Sequence, residues 1–235
     1  NTGGTIRVAS VVTNMTAFHN AGTLAPAGGT YYTPTTLTNG PTAWISGYGT
    51  VAAAGTLVNQ GTLQNSFFAV PTTPPGSTLV IASGLENAGV VAADSGRKVQ
   101  VTGIFTNSGT LSLTLNGLGT FNSTVVNHGA WIQNVGSATF ADNLIVSSNG
   151  SVVALDGSEL KFRGSVLSNA STASTSWNTF DAWLGTNAWN IGTGGKFLFS
   201  GASVTATQEF YHPGLLLTGG WPTERSCSSA TRASS

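Results

Sequence analysis

The chain has 235 residues, no net charge at pH 7 and only 7 % charged side chains, against roughly 25 % in ordinary soluble domains. This composition argues against a nucleic-acid-binding protein, because no basic stripe is present to neutralise phosphates. Because 40 % of the residues are hydrophobic, the composition also argues against a disordered chain. No apolar run is long enough for a membrane-spanning helix, so none is expected.

A short phrase recurs from residue 18 onward: an apolar residue, a variable residue, Asn, a variable residue, Gly, then a small and an apolar residue. Its clearest copy is FTNSGTL, residues 105–111. The asparagines of this series are spaced 19 to 28 residues apart and comprise Asn20, Asn39, Asn59, Asn87, Asn107, Asn127, Asn149 and Asn169. A glycine series about half a period away comprises Gly76, Gly96, Gly117, Gly136 and Gly157. Two series with one period near 20 residues predict a stack of similar coils.

Between the repeated Asn and Gly positions, apolar and polar residues alternate as in β-strands. Leu111 and Leu113 alternate with Ser112 and Thr114, a period of two that is typical of a strand with one buried face. Asn and Gly are expected at the corners because both tolerate the left-handed conformation of a sharp turn. The sequence therefore predicts an all-β protein, a parallel β-helix (β-solenoid) of about 20 residues per coil. We expect a right-handed coil and an irregular, Trp-rich C-terminal part.

Three segments follow in chain order. Residues 1–165 are expected to form the solenoid, with a loop insertion near 64–76 that contains Pro71, Pro74 and Pro75, which cannot donate to a strand ladder. Residues 166–221 are expected to form irregular final coils or a cap and contact region. Residues 222–235 are expected to form an extended polar tail. This tail contains Cys227, the single cysteine, so neither a disulfide framework nor a zinc cluster is predicted.

Four tryptophans near the C-terminus are candidates for a contact surface: Trp177, Trp183, Trp189 and Trp221. They would cover the last coil or contact another subunit, where Trp is enriched. Exposed aromatic rings can also stack on sugars, so glycan binding by this region is a second interpretation.

The ionisable residues do not form an evident catalytic site. The one tight group lies in residues 156–163, where Glu159, Lys161 and Arg163 alternate with apolar residues and are expected on the outer face. His19 and His128 lie five coils apart and cannot share a metal ion. No metal, cofactor or catalytic residue is therefore predicted, although a polysaccharide-degrading enzyme is kept as a remote alternative.

Threonines near the corners suggest another remote alternative, an ice-binding protein with an ordered array of hydroxyl groups. The candidates are Thr23, Thr50, Thr62, Thr110 and Thr120. However, Thr is also a common strand residue, and Val90 and Ala130 replace it in two well-aligned coils.

The Asn-x-Gly-Thr-Leu corners, together with the passage from Leu160 to Gly164 and on to Thr179, resemble the secreted repeat-rich β-helix proteins of bacteria. More narrowly, they resemble surface proteins of the PEP-CTERM sorting class and autotransporter passenger repeats, over about residues 18–200. The sorting signal of the first group is not matched by the sequence Pro222–Arg225. The resemblance implies an extracellular protein with a role in a surface layer, adhesion or a matrix. Because the sequence starts at Asn1 without Met or an apolar signal segment, we expect a mature form or a fragment of an exported protein.

These observations lead to one main hypothesis and one alternative. The first is a non-enzymatic extracellular protein whose partner is itself, assembled into a filament, layer or matrix. The alternative is an adhesin-like module that binds extracellular glycans.

Overall fold

The computed structural model describes residues 3–67, 73–147 and 150–154 of the chain. Beyond these it describes the strands at 159–162, 166–168, 172–176, 179–182, 189–191, 196–200, 203–206, 210–211 and 215–218.

Short β-strands make up the described structure. The first ten are β1 Thr5–Val8, β2 Val11–Thr13, β3 Phe18–Asn20, β4 Thr23–Thr33, β5 Leu37–Asn39, β6 Trp44–Ser46, β7 Tyr48–Ala53, β8 Thr56–Asn59, β9 Thr62–Asn65 and β10 Thr78–Ile81. The next ten are β11 Gly84–Asn87, β12 Val90–Asp94, β13 Lys98–Val101, β14 Phe105–Asn107, β15 Thr110–Thr114, β16 Leu118–Phe121, β17 Val125–Asn127, β18 Ala130–Asn134, β19 Ser137–Phe140 and β20 Leu144–Val146. The remaining strands are β21 Ser151–Ala154, β22 Glu159–Phe162, β23 Val166–Ser168, β24 Thr172–Ser176, β25 Thr179–Ala182, β26 Trp189–Ile191, β27 Lys196–Ser200, β28 Ser203–Ala206, β29 Phe210–Tyr211 and β30 Leu215–Thr218.

Each coil contributes strands to three faces, and every strand pairs in parallel with the equivalent strand of the next coil. Face A contains β1, β6, β9, β12, β15, β18, β21, β24, β27 and β30, face B contains β2, β7, β10, β13, β16, β19, β22, β25 and β28, and face C contains β3, β5, β8, β11, β14, β17, β20, β23, β26 and β29. The long strand β4 serves both face A and face B, with a register shift between Ala27 and Thr30. The predicted all-β parallel solenoid with a repeat of roughly 20 residues is thereby confirmed.

The described strands between 166 and 218 keep this three-face pattern. On face A, β24 pairs with β27 and β27 with β30 in the same parallel sense as the earlier strands. On face C, β23 pairs with β26 and β26 with β29. The parallel pairings continue past residue 165 among these strands, and the expected division of the chain near residues 165 and 221 stays a prediction.

Alternation of buried and outward residues explains why these segments form strands around a common core. In β15, Leu111 and Leu113 are buried, whereas Ser112 and Thr114 lie on the outer side. The in-register partners of the two leucines in β18 are Trp131 and Gln133, which are buried as well. Interior residues thus stack in columns, and each coil covers the apolar side chains of its neighbours.

The core is largest where four aromatic side chains meet, Phe105, Phe121, Trp131 and Phe140. Phe121 stacks on Phe105 and on Phe140 with ring centroids 5.4 Å apart in both pairs, and its edge faces Trp131 at 5.6 Å. Gly119 provides the space, because a Cβ atom there would lie only 2.9 Å from the Phe121 ring. Dense packing of this kind excludes water from the centre of the coil.

The glycines at the corner from face C to face A have a different role from the expected one. We expected them to adopt the left-handed conformation, but Gly89, Gly109 and Gly129 have no positive φ. A Cβ atom on Gly109 would instead collide with the carbonyl oxygen of Gly89 and lie 2.7 Å from the carbonyl carbon of Ala88. Glycine fits at Gly89, Gly109 and Gly129 because the stacked coils approach each other backbone to backbone there.

Gly109→Ala is expected to destabilise the solenoid by about 1–3 kcal/mol, because the backbone of the preceding coil must move away from the new methyl group. Thermal unfolding followed by circular dichroism measures the effect. Gly84→Ala is the matched control, since its Cβ would meet its nearest neighbour at 3.5 Å, an ordinary contact. Equal melting temperatures for the two variants would contradict this explanation of the corner glycines.

Candidate functional site

The corner asparagines form a continuous ladder of hydrogen bonds along the solenoid. The side-chain Nδ2 of each asparagine donates to Oδ1 of its counterpart in the next coil, over distances of 2.6 to 2.8 Å. The ladder joins Asn20, Asn39, Asn59, Asn87, Asn107 and Asn127, whose side chains are all buried.

Each asparagine occupies the last position of a face C strand, where the chain turns toward face A. There its Nδ2 also lies within hydrogen-bonding distance of backbone carbonyls. Asn59, for example, lies 3.2 Å from the oxygen of Gly61 in its own coil and 3.0 Å from that of Val90 in the next coil. The ladder therefore adds side-chain hydrogen bonds to corner carbonyls such as that of Gly61, which also accepts from the backbone N of Val90.

After Asn127 the strand register no longer places an asparagine at the ladder position. The residue in register with Asn127 on face C is Val146, which is buried, and the next in register is Ser168. The sequence series continued instead with Asn149 and Asn169, and both lie outside the described residues.

The half-period glycines lie at the corner from face A to face B, and their conformations differ. Gly76 and Gly96 have φ values of +73° and +74°, in the left-handed region, whereas Gly117 and Gly136 do not. A Cβ atom on Gly117 would collide with the carbonyl oxygen of Ala93, so close approach explains this position. Gly157 lies outside the described residues.

Asn107→Leu is expected to lower the free energy of unfolding by about 2–4 kcal/mol, because it leaves the buried amides of Asn87 and Asn127 each without one partner. Chemical denaturation measures the loss. Asn122→Leu, an exposed asparagine one coil away, is the control and should change stability little. If both variants unfold at the same denaturant concentration, the ladder does not stabilise the stack.

The structure brings together one pair of side chains that the sequence analysis missed. Nδ1 of His128 lies 2.9 Å from Oγ of Ser147, at neighbouring corners on the solenoid surface. Ser147 Oγ also lies 3.4 Å from the carbonyl oxygen of Asn127. Within the described residues no carboxylate orients this histidine, so the pair lacks the third group of a hydrolytic triad. Its proximity follows from the 19-residue spacing of the coils at this corner.

The other candidate residues lie on different parts of the solenoid. Glu159 and Lys161 belong to β22 on face B, and Trp189 to β26 on face C. Arg163, Trp177, Trp183 and Trp221 lie outside the described residues. His19 is in β3, far along the stack from His128.

The threonines of the ice-binding alternative are divided between two faces. Thr23, Thr62 and Thr110 belong to one column of face A, which Trp44 and Val90 interrupt. The remaining two, Thr50 and Thr120, belong to face B, where Val80 and Gln100 separate them. A single ordered hydroxyl array is therefore not formed by these five residues.

The predicted insertion lies between β9 and β10 and is fastened to the following coil by two charged residues. The carboxylate of Asp94 accepts hydrogen bonds from Oγ of Ser66 (2.5 Å) and from the backbone N of Phe67 (2.8 Å). Arg97 is buried, with its Nε 3.0 Å from the carbonyl oxygen of Thr73 and its guanidinium carbon 5.3 Å from the centre of the Phe67 ring. Residues 68–72 of the insertion lie outside the described residues.

Arg97→Ala is expected to release this insertion from the solenoid surface, because the Thr73 carbonyl and the Phe67 ring lose their cationic partner. We expect faster limited proteolysis within residues 66–77 and a loss of about 1–3 kcal/mol in unfolding free energy. Lys98→Ala, the adjacent cation on the outer side of β13, is the control. Unchanged cleavage in Arg97→Ala would show that Asp94 alone holds the insertion.

The first described coil exposes apolar residues whose counterparts in the second coil are buried. In this coil the buried columns continue with three residues. Ile6 and Phe18 are half-buried, and Val12 is 36 % exposed. Their in-register partners in the second coil are fully or almost fully buried: Leu24, Leu37 and Tyr31. We call Ile6, Val12 and Phe18 the first-coil surface.

Two of the most exposed apolar side chains in the described chain lie beside this surface. Val11 is 74 % exposed and Met15 is 76 % exposed. The nearby cation is Arg7, on the outer side of β1. Among the described residues, β1 and β2 pair in parallel with β4, and β3 pairs with β5, each on one side of the strand.

Comparison with known proteins finds no matching family model, no matching curated protein and no matching solved structure. Within the described residues, His, Cys, Asp and Glu do not gather into a group of three or more that could hold a metal ion. The described part of the chain also contains no helix long and apolar enough to cross a membrane.

Proposed function

We propose that this chain is a non-enzymatic structural protein of the extracellular space that associates with copies of itself, end to end, into a filament, layer or matrix. The observation that supports the proposal is the exposure of the first-coil surface. At this surface, residues that continue the interior columns are partly exposed, whereas their counterparts in the second coil are covered by the neighbouring coils.

The contact between successive coils is of the same kind along the solenoid. Each coil offers its neighbour the same three rows of backbone groups and the same kind of apolar column. A coil with an open side can therefore pair with the open coil of another molecule. Natural monomers block such edges with charges, prolines or covering segments. Between Arg7 and Glu86 the sequence contains no Asp, Glu, Lys or Arg, so charge repulsion between copies is absent here.

Contact between the first coil of one copy and the opposite end of another joins unlike surfaces. Such heterologous contacts do not close on themselves unless the rotation forms a ring, and they otherwise propagate as a fibre. Trp177, Trp183, Trp189, Trp221 and the tail 222–235 are proposed as the complementary contact region. The extracellular location rests on the resemblance to exported repeat-rich β-helix proteins.

The proposal predicts that Val12→Lys abolishes assembly. Val12 is in register with Tyr31 and points toward the interior, so a lysine there places a charge where the next coil must pack. Analytical ultracentrifugation and negative-stain electron microscopy are the measurements. We expect ordered polymers from the unaltered protein and monomers from Val12→Lys.

Val11→Lys is the matched control, because Val11 precedes Val12 in the same strand and is in register with Thr30 on the outer side. It should leave the polymers intact. An unaltered protein that stays monomeric at high concentration would contradict the proposal. Glycan binding by that monomer would support the adhesin alternative instead.

A further inference from the structure

The number of strands differs between the three faces of the solenoid. Among the described residues, face A carries eleven strands and faces B and C carry ten each, with β4 counted on both A and B. The described strands therefore begin on face A with β1 and end on face A with β30, one strand beyond ten whole coils. At the β30 end of the described stack, face A is one strand taller than the other two faces.

This difference restricts how a second copy can stack on the last coil, because the strands of each coil follow one another in the order A, B, C. If face A of the next copy followed face A, faces B and C would each lack one strand at the joint. If face A followed face C, face B would lack one strand. If face A followed face B, β1 would lie on β28, β2 on β29 and β3 on β30. Only this last arrangement fills every strand position and so gives each backbone row a partner.

We propose that successive copies are rotated by one face, about one third of a turn, so that β1 of each copy pairs in parallel with β28 of the preceding copy. The inference rests on the proposed end-to-end assembly and specifies its joint. In three copies every side of the filament then receives the same number of strands, since it is built once from face A, once from face B and once from face C. At the strand spacing of about 4.8 Å, three copies give an axial repeat of about 150 Å.

The residue types at the joint suit this rotation. The positions that continue the interior columns would bring apolar residues together in every case: Ile6 and Val8 with Val204 and Ala206, Val12 with Phe210, and Phe18 with Leu216. Ala206, for example, occupies the column of the buried Phe140. Each coil in the middle of the stack covers its neighbour with columns of the same kind.

The asparagine ladder does not oppose the rotation. A ladder that ran through the whole stack would distinguish face C from the other two faces, because each asparagine bonds to its counterpart in the next coil. At the positions in register beyond Asn127, however, the sequence has Val146, Ser168 and Ile191. Placing face C of one copy on face A of the preceding copy therefore interrupts no ladder bond at this end.

Disulfide cross-linking between copies tests the rotation, in a Cys227→Ser background that removes the single native cysteine. Arg7→Cys, on the outer side of β1, is combined in turn with Thr205→Cys on face B, Leu217→Cys on face A or Tyr211→Cys on face C. Paired residues of adjacent parallel strands lie about 4.8 Å apart, which is within the Cα range of a disulfide. Within one copy these positions are more than ~40 Å from β1, so a disulfide must join two copies.

Sedimentation under reducing conditions first establishes that each variant polymerises. After air oxidation, we expect Arg7→Cys with Thr205→Cys to give covalent dimers, trimers and longer multimers on a non-reducing gel. The pairs with Leu217→Cys and Tyr211→Cys should run as monomers. His19→Cys with Leu217→Cys is a second pair expected to cross-link, because the rotation places β3 on β30. It shows that Leu217→Cys can react, and it replaces the first pair if Thr205→Cys fails to fold.

Every other result contradicts the rotation. Cross-linking of Arg7→Cys with Leu217→Cys would mean that copies stack without rotation and that residues beyond β30 supply the two missing strands. Cross-linking with Tyr211→Cys would mean rotation in the opposite sense, and polymers in which no pair cross-links would mean that the joint is not made of paired strands. These three results leave end-to-end assembly standing, whereas a protein that forms no polymers under reducing conditions overturns both proposals.

Discussion

The structure depends on the spacing of about 4.8 Å that parallel strands require. Each coil must reach this distance from its neighbour on three faces at once, so the corners between the faces must approach equally closely. Gly109 and Gly129 satisfy this requirement, because a side chain at either would meet the backbone of the preceding coil. Asn107 and Asn127 strengthen the same corner, because the buried amide of Asn107 donates both to Asn127 and to the carbonyl oxygen of Ala130 in the next coil.

This constraint explains why the architecture could be predicted from the sequence. It acts on the backbone, so it demands the same residue types at the same corner of each coil, and the Asn-x-Gly phrase follows directly. The asparagine series in the sequence and the strand register agree up to Asn127 and then diverge. Counting by asparagines leads from Asn127 to Asn149, whereas the hydrogen-bond register leads to Val146, 19 residues on. Only the strand pairing distinguishes these two residues, and the spacing of asparagines in the sequence does not reveal that pairing.

The insertion between β9 and β10 shows another limit of sequence-based interpretation. Its prolines identify it as a departure from the stack, but they do not indicate what it contacts. Its fastening depends on Asp94 and Arg97, which lie 24 to 28 residues later and become neighbours only because the next coil stacks beneath it. Asp94 and Arg97 are charged residues in a nearly uncharged chain, and their contacts with the insertion give both a local structural role.

The two kinds of corner differ in how strongly the stacking of coils restricts their residues. The corner from face C to face A repeats Asn and Gly in most described coils, because the ladder and the close backbone approach both constrain it, with Ala43 and Val146 as exceptions. The corner from face A to face B accepts Ser95, Leu115 and Val135 at one left-handed position in three successive coils. Stacking alone would favour glycine or asparagine at each of them. The side chains at this corner are therefore not set by the fold, and the surface that they form is where interactions with other molecules can be encoded without cost to the ladder.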